Sequence, residues 1–140
     1  MSMKKNWWKY LCIVLLFYTI IAGFLGPIPQ LNILEESIRN LYFHVPMWFS
    51  MMAMMLVSLV FSIRYKKKKK ITDDIVAASF AKVGFIFGLL GVITGSVWAR
   101  ATWGAWWVFA EVKLNGAGAA LLVYAAYFIL RGSFEKKKKK

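Results

Sequence analysis

The sequence has few of the residues that usually perform enzyme chemistry: among 140 residues there are one cysteine, one histidine and six acidic residues. The single Cys12 lies in an apolar run, and no CxxC or CxxCH is present, which excludes a thiol exchanger and a c-type cytochrome. The sequence shows no paired nucleophile and base, no phosphate-binding loop and no second histidine to relay protons. We therefore predict that the protein is not an enzyme.

Negative charge is scarce, and the formal net charge is +13. Much of the positive charge lies in two lysine blocks, at residues 66–70 and 136–140. Nucleic-acid binding needs a folded basic face, and none is visible, so we exclude a nucleic-acid partner. We interpret the blocks as solvated ends held at lipid headgroups, where each lysine contributes about 1 kcal/mol on an anionic leaflet.

Long apolar runs are what the sequence has in abundance, since 60% of its residues are hydrophobic and the mean hydropathy is +0.56. The first run is too long for the apolar core of a signal peptide, and no cleavage site follows it. We predict an all-α integral membrane bundle that forms a single domain over residues 1–140. Four spans of about 20 residues are expected, with an outer tryptophan-rich loop at 99–113; the spans are 7–25, 45–63, 75–98 and 114–130.

The basic residues also predict the orientation of these spans. Most of them flank the spans on one side, in the N-terminal segment, the loop between the second and third spans, and the C-terminal tail. Cytoplasmic segments retain lysine and arginine during insertion, so we expect both termini to be cytoplasmic. The second outer segment would then be residues 27–44, and Lys82 would lie within the third span.

His44 is the only histidine and stands in the segment LYFHVPMWFSMM. We predict that Pro46 is the first residue of the second helix. Helical spacing would then place His44, Met47, Trp48 and Met51 on one stripe. Two interpretations remain open: an interfacial histidine that bonds to headgroups, or an axial ligand of a metal such as haem iron.

Four of the seven tryptophans lie in the stretch TGSVWARATWGAWWVFAEVKLN. An aromatic belt at the membrane boundary would account for them. A stacking surface for a planar ligand is the alternative, because small residues such as Gly104 let a flat object approach the backbone. Haem is the obvious ligand of this kind: tryptophan faces would contact its macrocycle, and Arg100 and Lys113 would neutralise its propionates.

These motifs resemble a known family. TWGAWWVFAEVKLNG is similar to the tryptophan-rich loop, WGxWWxWDxR, of the WWD haem-handling membrane proteins, and HVP resembles their histidine motif. The order of helix, HVP helix, helix with TGSVWAR, tryptophan loop and helix resembles the haem exporter protein C (CcmC) family, over about residues 7–131.

The resemblance implies a protein of the bacterial cytoplasmic membrane that transiently holds b-type haem on the periplasmic side during cytochrome c maturation. It would pass haem to a membrane-anchored haem chaperone and work beside an ATP-binding cassette transporter. His44 would be an axial iron ligand, and the remaining haem-binding residues would be Trp103, Gly104, Trp106, Trp107, Glu111, Arg100 and Lys113.

The sequence departs from the family pattern in two places. The aspartate of the motif has no direct counterpart, since Ala110 and Glu111 occupy its neighbourhood. The family's second axial histidine comes from a later outer loop, and this chain has one histidine. We expect a form shortened after the fourth of about six helices, with Met47, a second protomer or a partner as other sources of the second ligand.

Two other classes of protein fit the length and the number of spans. A dimeric four-helix exporter would need a carboxylate within the membrane, whereas all six acidic residues fall in loops or at span ends: Glu35, Glu36, Asp73, Asp74, Glu111 and Glu135. A non-catalytic membrane anchor subunit would need neither His44 nor the tryptophan cluster.

Overall fold

Four long α-helices account for most of the chain in the computed structural model, which describes residues 3–29 and 35–138, with side chains from 6 to 134 within those ranges. No strand occurs within these ranges. Each of the four helices is long and apolar enough to cross a membrane, which confirms the predicted all-α bundle. The elements are α1 (Met3–Leu25), a 3₁₀ helix (Glu35–Asn40), α2 (Leu41–Lys68), α3 (Ile71–Trp103) and α4 (Val112–Lys138).

The predicted start of the second helix was wrong. Pro46 lies inside α2, which begins at Leu41 and continues a preceding 3₁₀ helix. Proline removes one backbone hydrogen bond, and the turn before it is held by tertiary contacts instead. Asn40 Nδ2 donates to the Thr94 carbonyl at 3.2 Å. Phe43 in the same turn packs against α1.

The connection between α3 and α4 is shorter than the predicted tryptophan-rich loop at 99–113, because residues 99–103 form the last turns of α3. In these turns Ala99 is buried, and Thr102 Oγ1 donates to the Trp98 carbonyl at 2.8 Å. The helix ends at Gly104, which has a φ of +76° that glycine adopts without steric cost. Arg100 also donates to the Gly104 carbonyl. The connection to α4 therefore spans residues 104–111.

A line of glycines on α3 sets how closely α2 approaches. Their spacing places them on one face of the helix. A Cβ added at any of them would lie 2.7 to 3.1 Å from a side chain of α2 or α4. Small residues at membrane helix interfaces permit this close packing. From one end of the interface to the other, Gly84 faces Met55, Gly88 faces Met51, Gly91 faces Trp48 and Gly95 faces His44.

The other end of the bundle is fastened by ion pairs. Arg131 of α4 makes two hydrogen bonds to the Asp74 carboxylate, at 2.6 and 2.9 Å. Arg64 of α2 lies 3.5 Å from Asp73, which is buried in the first turn of α3. Because α2, α3 and α4 alternate in direction, these pairs lie at the end opposite residues 104–111.

Helix α1 contacts the bundle near its C-terminal end. Phe43 packs on Gly23 and on the ring of Phe24, whose centroid is 5.0 Å away. The Arg39 side chain donates to the carbonyls of Gly23 and Gly26 and so caps the C-terminal end of α1. The apolar side chains along the rest of α1 are exposed. Part of the predicted outer segment 27–44, namely residues 30–34, lies outside the described residues, as do residues 1–2 and 139–140.

Candidate functional site

A cavity of about 600 Å³ opens at the end of the bundle where α3 joins α4. This volume lies within the range of pockets that hold organic ligands or cofactors. Three of its lining residues are tryptophans, and α2, α3 and α4 all contribute to its wall. Residues from α2 and α3 are His44, Trp48, Gly95, Trp98, Ala99, Thr102 and Trp103; those near α4 are Glu111, Lys113, Leu114 and Ala117.

His44 is held in the wall by two hydrogen bonds. Its Nδ1 lies 3.0 Å from Thr94 Oγ1, and its Nε2 accepts a hydrogen bond of 3.0 Å from the indole Nε1 of Trp48. The ring rests on the backbone of Gly95, where a Cβ would approach the imidazole Cε1 to 2.7 Å. Only glycine at position 95 leaves room for the imidazole in this position.

Trp98 packs against the same histidine from α3. The two ring centroids are 6.0 Å apart, with the planes inclined at 69°. The Trp98 indole nitrogen is buried and has no hydrogen-bond partner among the residues that the structure describes. Together with Trp48 and Trp103, this ring gives the cavity wall three indole side chains.

The structure brings together four of the residues predicted to bind haem. His44, Trp103, Glu111 and Lys113 all line the cavity, although they come from segments far apart in sequence. The segments around His44 and Trp103 therefore lie at the same end of the bundle, as the orientation of the helices requires. Among the described residues, neither Glu111 nor Lys113 forms a salt bridge.

The other four predicted residues lie outside the cavity lining. Trp106 is 60% exposed, and Gly104 is the turn that ends α3. Arg100 is engaged with the Gly104 carbonyl. Trp107 turns towards α4, where its Nε1 donates to Asn115 Oδ1 at 3.0 Å. These contacts shape the loop around the cavity.

Trp107 and Asn115 fasten this loop to α4. The Trp107 ring lies on Gly118, where a Cβ would come within 3.0 Å of it. The Asn115 side chain accepts from the indole and also donates to the Phe109 carbonyl at 2.7 Å. One asparagine thus holds two points of the loop.

Sequence reasoning missed Trp48, Thr94, Gly95 and Trp98 as parts of this site. A signal for two of them was present, because Trp48 shares the His44 stripe and Gly95 completes a helical glycine spacing on α3. The Thr94 contact depends on how α2 and α3 are aligned, which neither segment specifies alone.

The site offers little to a bare metal ion. Among the residues that the structure describes, no three His, Cys, Asp or Glu side chains come together. In the cavity lining, a free metal ion would therefore find only two common protein ligands, His44 and Glu111. An iron that already has four ligands from a macrocycle would need only axial ligands from the protein.

Comparison with known proteins places this chain in a family. The CcmC family model, described as Heme exporter protein C, matches residues 1–140. Heme exporter protein C of Escherichia coli K12 is 27% identical over 106 residues, which are 74% of this chain and 42% of that protein. The protein of the same name from Paracoccus denitrificans is 27% identical over 111 residues, covering 79% and 45% of the two chains.

A shorter similarity connects the chain to a second group of proteins. The cytochrome c biogenesis protein CcsA of Prochlorococcus marinus MIT 9515 is 45% identical over 62 residues, which are 43% of this chain and 20% of that protein. No solved structure matches. The chain spans less than half the length of these curated relatives. Since the family model covers all 140 residues, the chain belongs to the haem exporter protein C family.

Proposed function

We propose that this chain binds haem at the outer membrane face and passes it on during cytochrome c maturation. The observation that supports this most directly is the position of His44, the only imidazole, in the wall of an aromatic cavity of about 600 Å³. Family membership and the names of the relatives agree with the proposal.

The residues around the cavity suit the parts of a haem molecule. His44 would supply an axial nitrogen to iron. Trp48, Trp98 and Trp103 would cover the apolar macrocycle, where aromatic faces contribute both buried area and ring contacts. Haem is cargo in this proposal, so the residues bind and orient it and perform no reaction on it.

The carboxylates of haem would be received where α4 begins. Lys113 lies in the first turn of α4 and lines the cavity without a salt-bridge partner among the described residues. Free backbone N–H groups at a helix N-terminus also favour negative charge. Glu111 beside it would limit how many anionic groups enter. Arg100 is not among the residues that line the cavity, and it donates to the Gly104 carbonyl.

The outer loop would serve the transfer of haem. Trp106 and Phe109 are 60% and 82% exposed, and both lie in the loop beside the cavity. Exposed aromatic side chains of this kind are typical of protein contacts. We assign them to the haem chaperone, and we place the chain beside an ATP-binding cassette transporter as the family resemblance implies.

The charge distribution supports a cavity on the periplasmic side of the bacterial cytoplasmic membrane. Arg64 and Lys66–Lys70 lie at the end of the bundle opposite the cavity. Because positive charge is retained in the cytoplasm, that end would be cytoplasmic, together with both termini.

A second axial ligand would come from outside these 140 residues: from a further segment of a longer chain, a second protomer or a partner. The sequence has one histidine, and Met47 is absent from the cavity lining. Binding through one strong protein ligand also suits b-type haem that is held transiently and passed on.

The proposal is tested by purifying the chain with a histidine-free affinity tag from haem-replete cells and recording its absorption spectrum. We expect a Soret band in the wild type and its loss in His44→Ala. Met52→Ala is the matched control, because Met52 lies on the same helix and is exposed. Equal haem content in all three proteins would contradict the proposal.

A further inference from the structure

The hydrogen bonds of His44 identify which ring nitrogen carries the proton. An indole N–H can only donate, so the 3.0 Å bond from Trp48 requires an unprotonated Nε2. In a neutral imidazole the proton then lies on Nδ1, which donates to Thr94 Oγ1 at 3.0 Å. This assignment of hydrogens rests on the donors and acceptors of the network.

Thr94 is well placed to accept that proton. Its own hydroxyl lies 2.8 Å from the Leu90 carbonyl and 3.1 Å from the Gly91 carbonyl, so its hydrogen is directed to the helix backbone. The Oγ1 lone pairs remain available to His44. The network therefore selects one tautomer, with the lone pair of Nε2 as the coordinating site.

That lone pair accepts the Trp48 hydrogen bond in this structure. Trp48 and His44 both line the cavity, and the hydrogen bond between them lies at its wall. The Trp48 ring rests on Gly91, where a Cβ would come within 3.0 Å of it, just as His44 rests on Gly95. Two glycines thus fix the donor and the acceptor side by side.

We propose that the Trp48 indole N–H acts as a latch on His44. It occupies Nε2 through its hydrogen bond, and haem iron must displace it in order to coordinate this nitrogen. Binding then breaks one N–H···N hydrogen bond and forms one Fe–N coordinate bond, with no proton or electron transferred. The latch weakens net haem binding and facilitates release. It rests on the proposed function, and it gives Trp48 a second role, exerted through His44, beside its ring contact with the macrocycle.

The hydrogen bond itself can be tested without haem. The chain contains one histidine, so ¹⁵N-histidine labelling gives the two ring nitrogens of His44 alone. At neutral pH we expect a protonated Nδ1 and an unprotonated Nε2, whose resonance shifts in Trp48→Phe and stays in place in Trp8→Phe. A protonated Nε2, or an Nε2 resonance that is unchanged in Trp48→Phe, would overturn the latch.

Competition with iron is tested by titrating the haem-free protein with haemin. Phenylalanine at position 48 keeps a ring on Gly91 but removes the donor. Since a neutral hydrogen bond contributes a modest net free energy, we expect Trp48→Phe to bind haemin about threefold to tenfold tighter and to release it more slowly. Trp8→Phe on α1 should match the wild type.

The two proposals fail in different ways. A Soret band that requires His44 but binds equally or more weakly in Trp48→Phe would overturn the latch and leave haem binding intact. Absence of a His44-dependent Soret band in the wild type would overturn the proposed function, and the latch with it.

Discussion

The imidazole of His44 lies directly on the backbone of Gly95, where an added Cβ would be 2.7 Å from Cε1. No flexible chain end lies at this contact, so a methyl group there must displace the ring. The position of the candidate iron ligand therefore depends on a residue with no side chain on the facing helix.

Replacing Gly95 with alanine should therefore disturb haem binding, although the substitution adds only one methyl group. We expect Gly95→Ala to lower haem retention by about tenfold, as removal of a well-placed ligand contact of about 1.4 kcal/mol would. Gly116→Ala is the control, because a Cβ there meets nothing within 4 Å. The haem-to-protein ratio measures both, and equal ratios would show that His44 has room to move.

Thr94 should affect haem affinity and the iron reduction potential, because it selects the tautomer of His44. Thr94→Val keeps the shape of the side chain but removes the acceptor of the Nδ1 proton, so we expect haemin affinity to fall about threefold to tenfold. A hydrogen bond at the far nitrogen also makes a ligating imidazole more basic, so its loss should raise the iron reduction potential. Thr94→Ser should restore both quantities. A serine variant that behaves like valine would exclude this role.

The fold was predictable from the sequence because a bilayer requires long apolar runs, and these four runs are separated by charged or glycine- and proline-containing segments. The ends of the helices were less predictable. Pro46 was expected to begin a helix, but contacts of Asn40 and Phe43 hold the turn before it in helical form. Tertiary packing overrode the local preference of proline.

The candidate site was predictable in part. His44 precedes the second predicted span and Trp103 follows the third, on the same side of the membrane, so they were expected to lie near each other. The structure places both in the lining of one cavity. The position of Trp107 was not predictable, since nothing in its local sequence shows that Asn115 would accept its N–H. Their roles in haem binding stay predictions until a spectrum is recorded.

The two adjacent tryptophans of the loop should behave differently when replaced. Trp107 is bonded to Asn115 and packed on Gly118, whereas Trp106 is exposed. We expect Trp107→Ala to lower the free energy of unfolding by about 3 kcal/mol and to lower haem retention, because both a ring and a hydrogen bond are lost. Trp106→Ala should leave stability within about 0.5 kcal/mol of the wild type.

Paired replacements distinguish this loop from a general aromatic belt. Trp7 and Trp8 on α1 are 62% and 52% exposed, so their removal should have little effect on the cavity. Trp106→Ala combined with Trp107→Ala should lose more haem than Trp7→Ala combined with Trp8→Ala. Equal haem contents would mean that both pairs act only at the membrane boundary.

The orientation of the cavity can be measured with a single cysteine. Replacing Cys12 with serine removes the only thiol, after which Lys113→Cys and Lys68→Cys report on opposite ends of the bundle. Both side chains are exposed, so accessibility to the reagent depends on the side of the membrane. We expect a membrane-impermeant maleimide added to intact spheroplasts to label position 113 and to label position 68 only after lysis. Labelling of position 68 in intact spheroplasts, with position 113 protected, would place the cavity in the cytoplasm and remove the basis for haem delivery to the outer face.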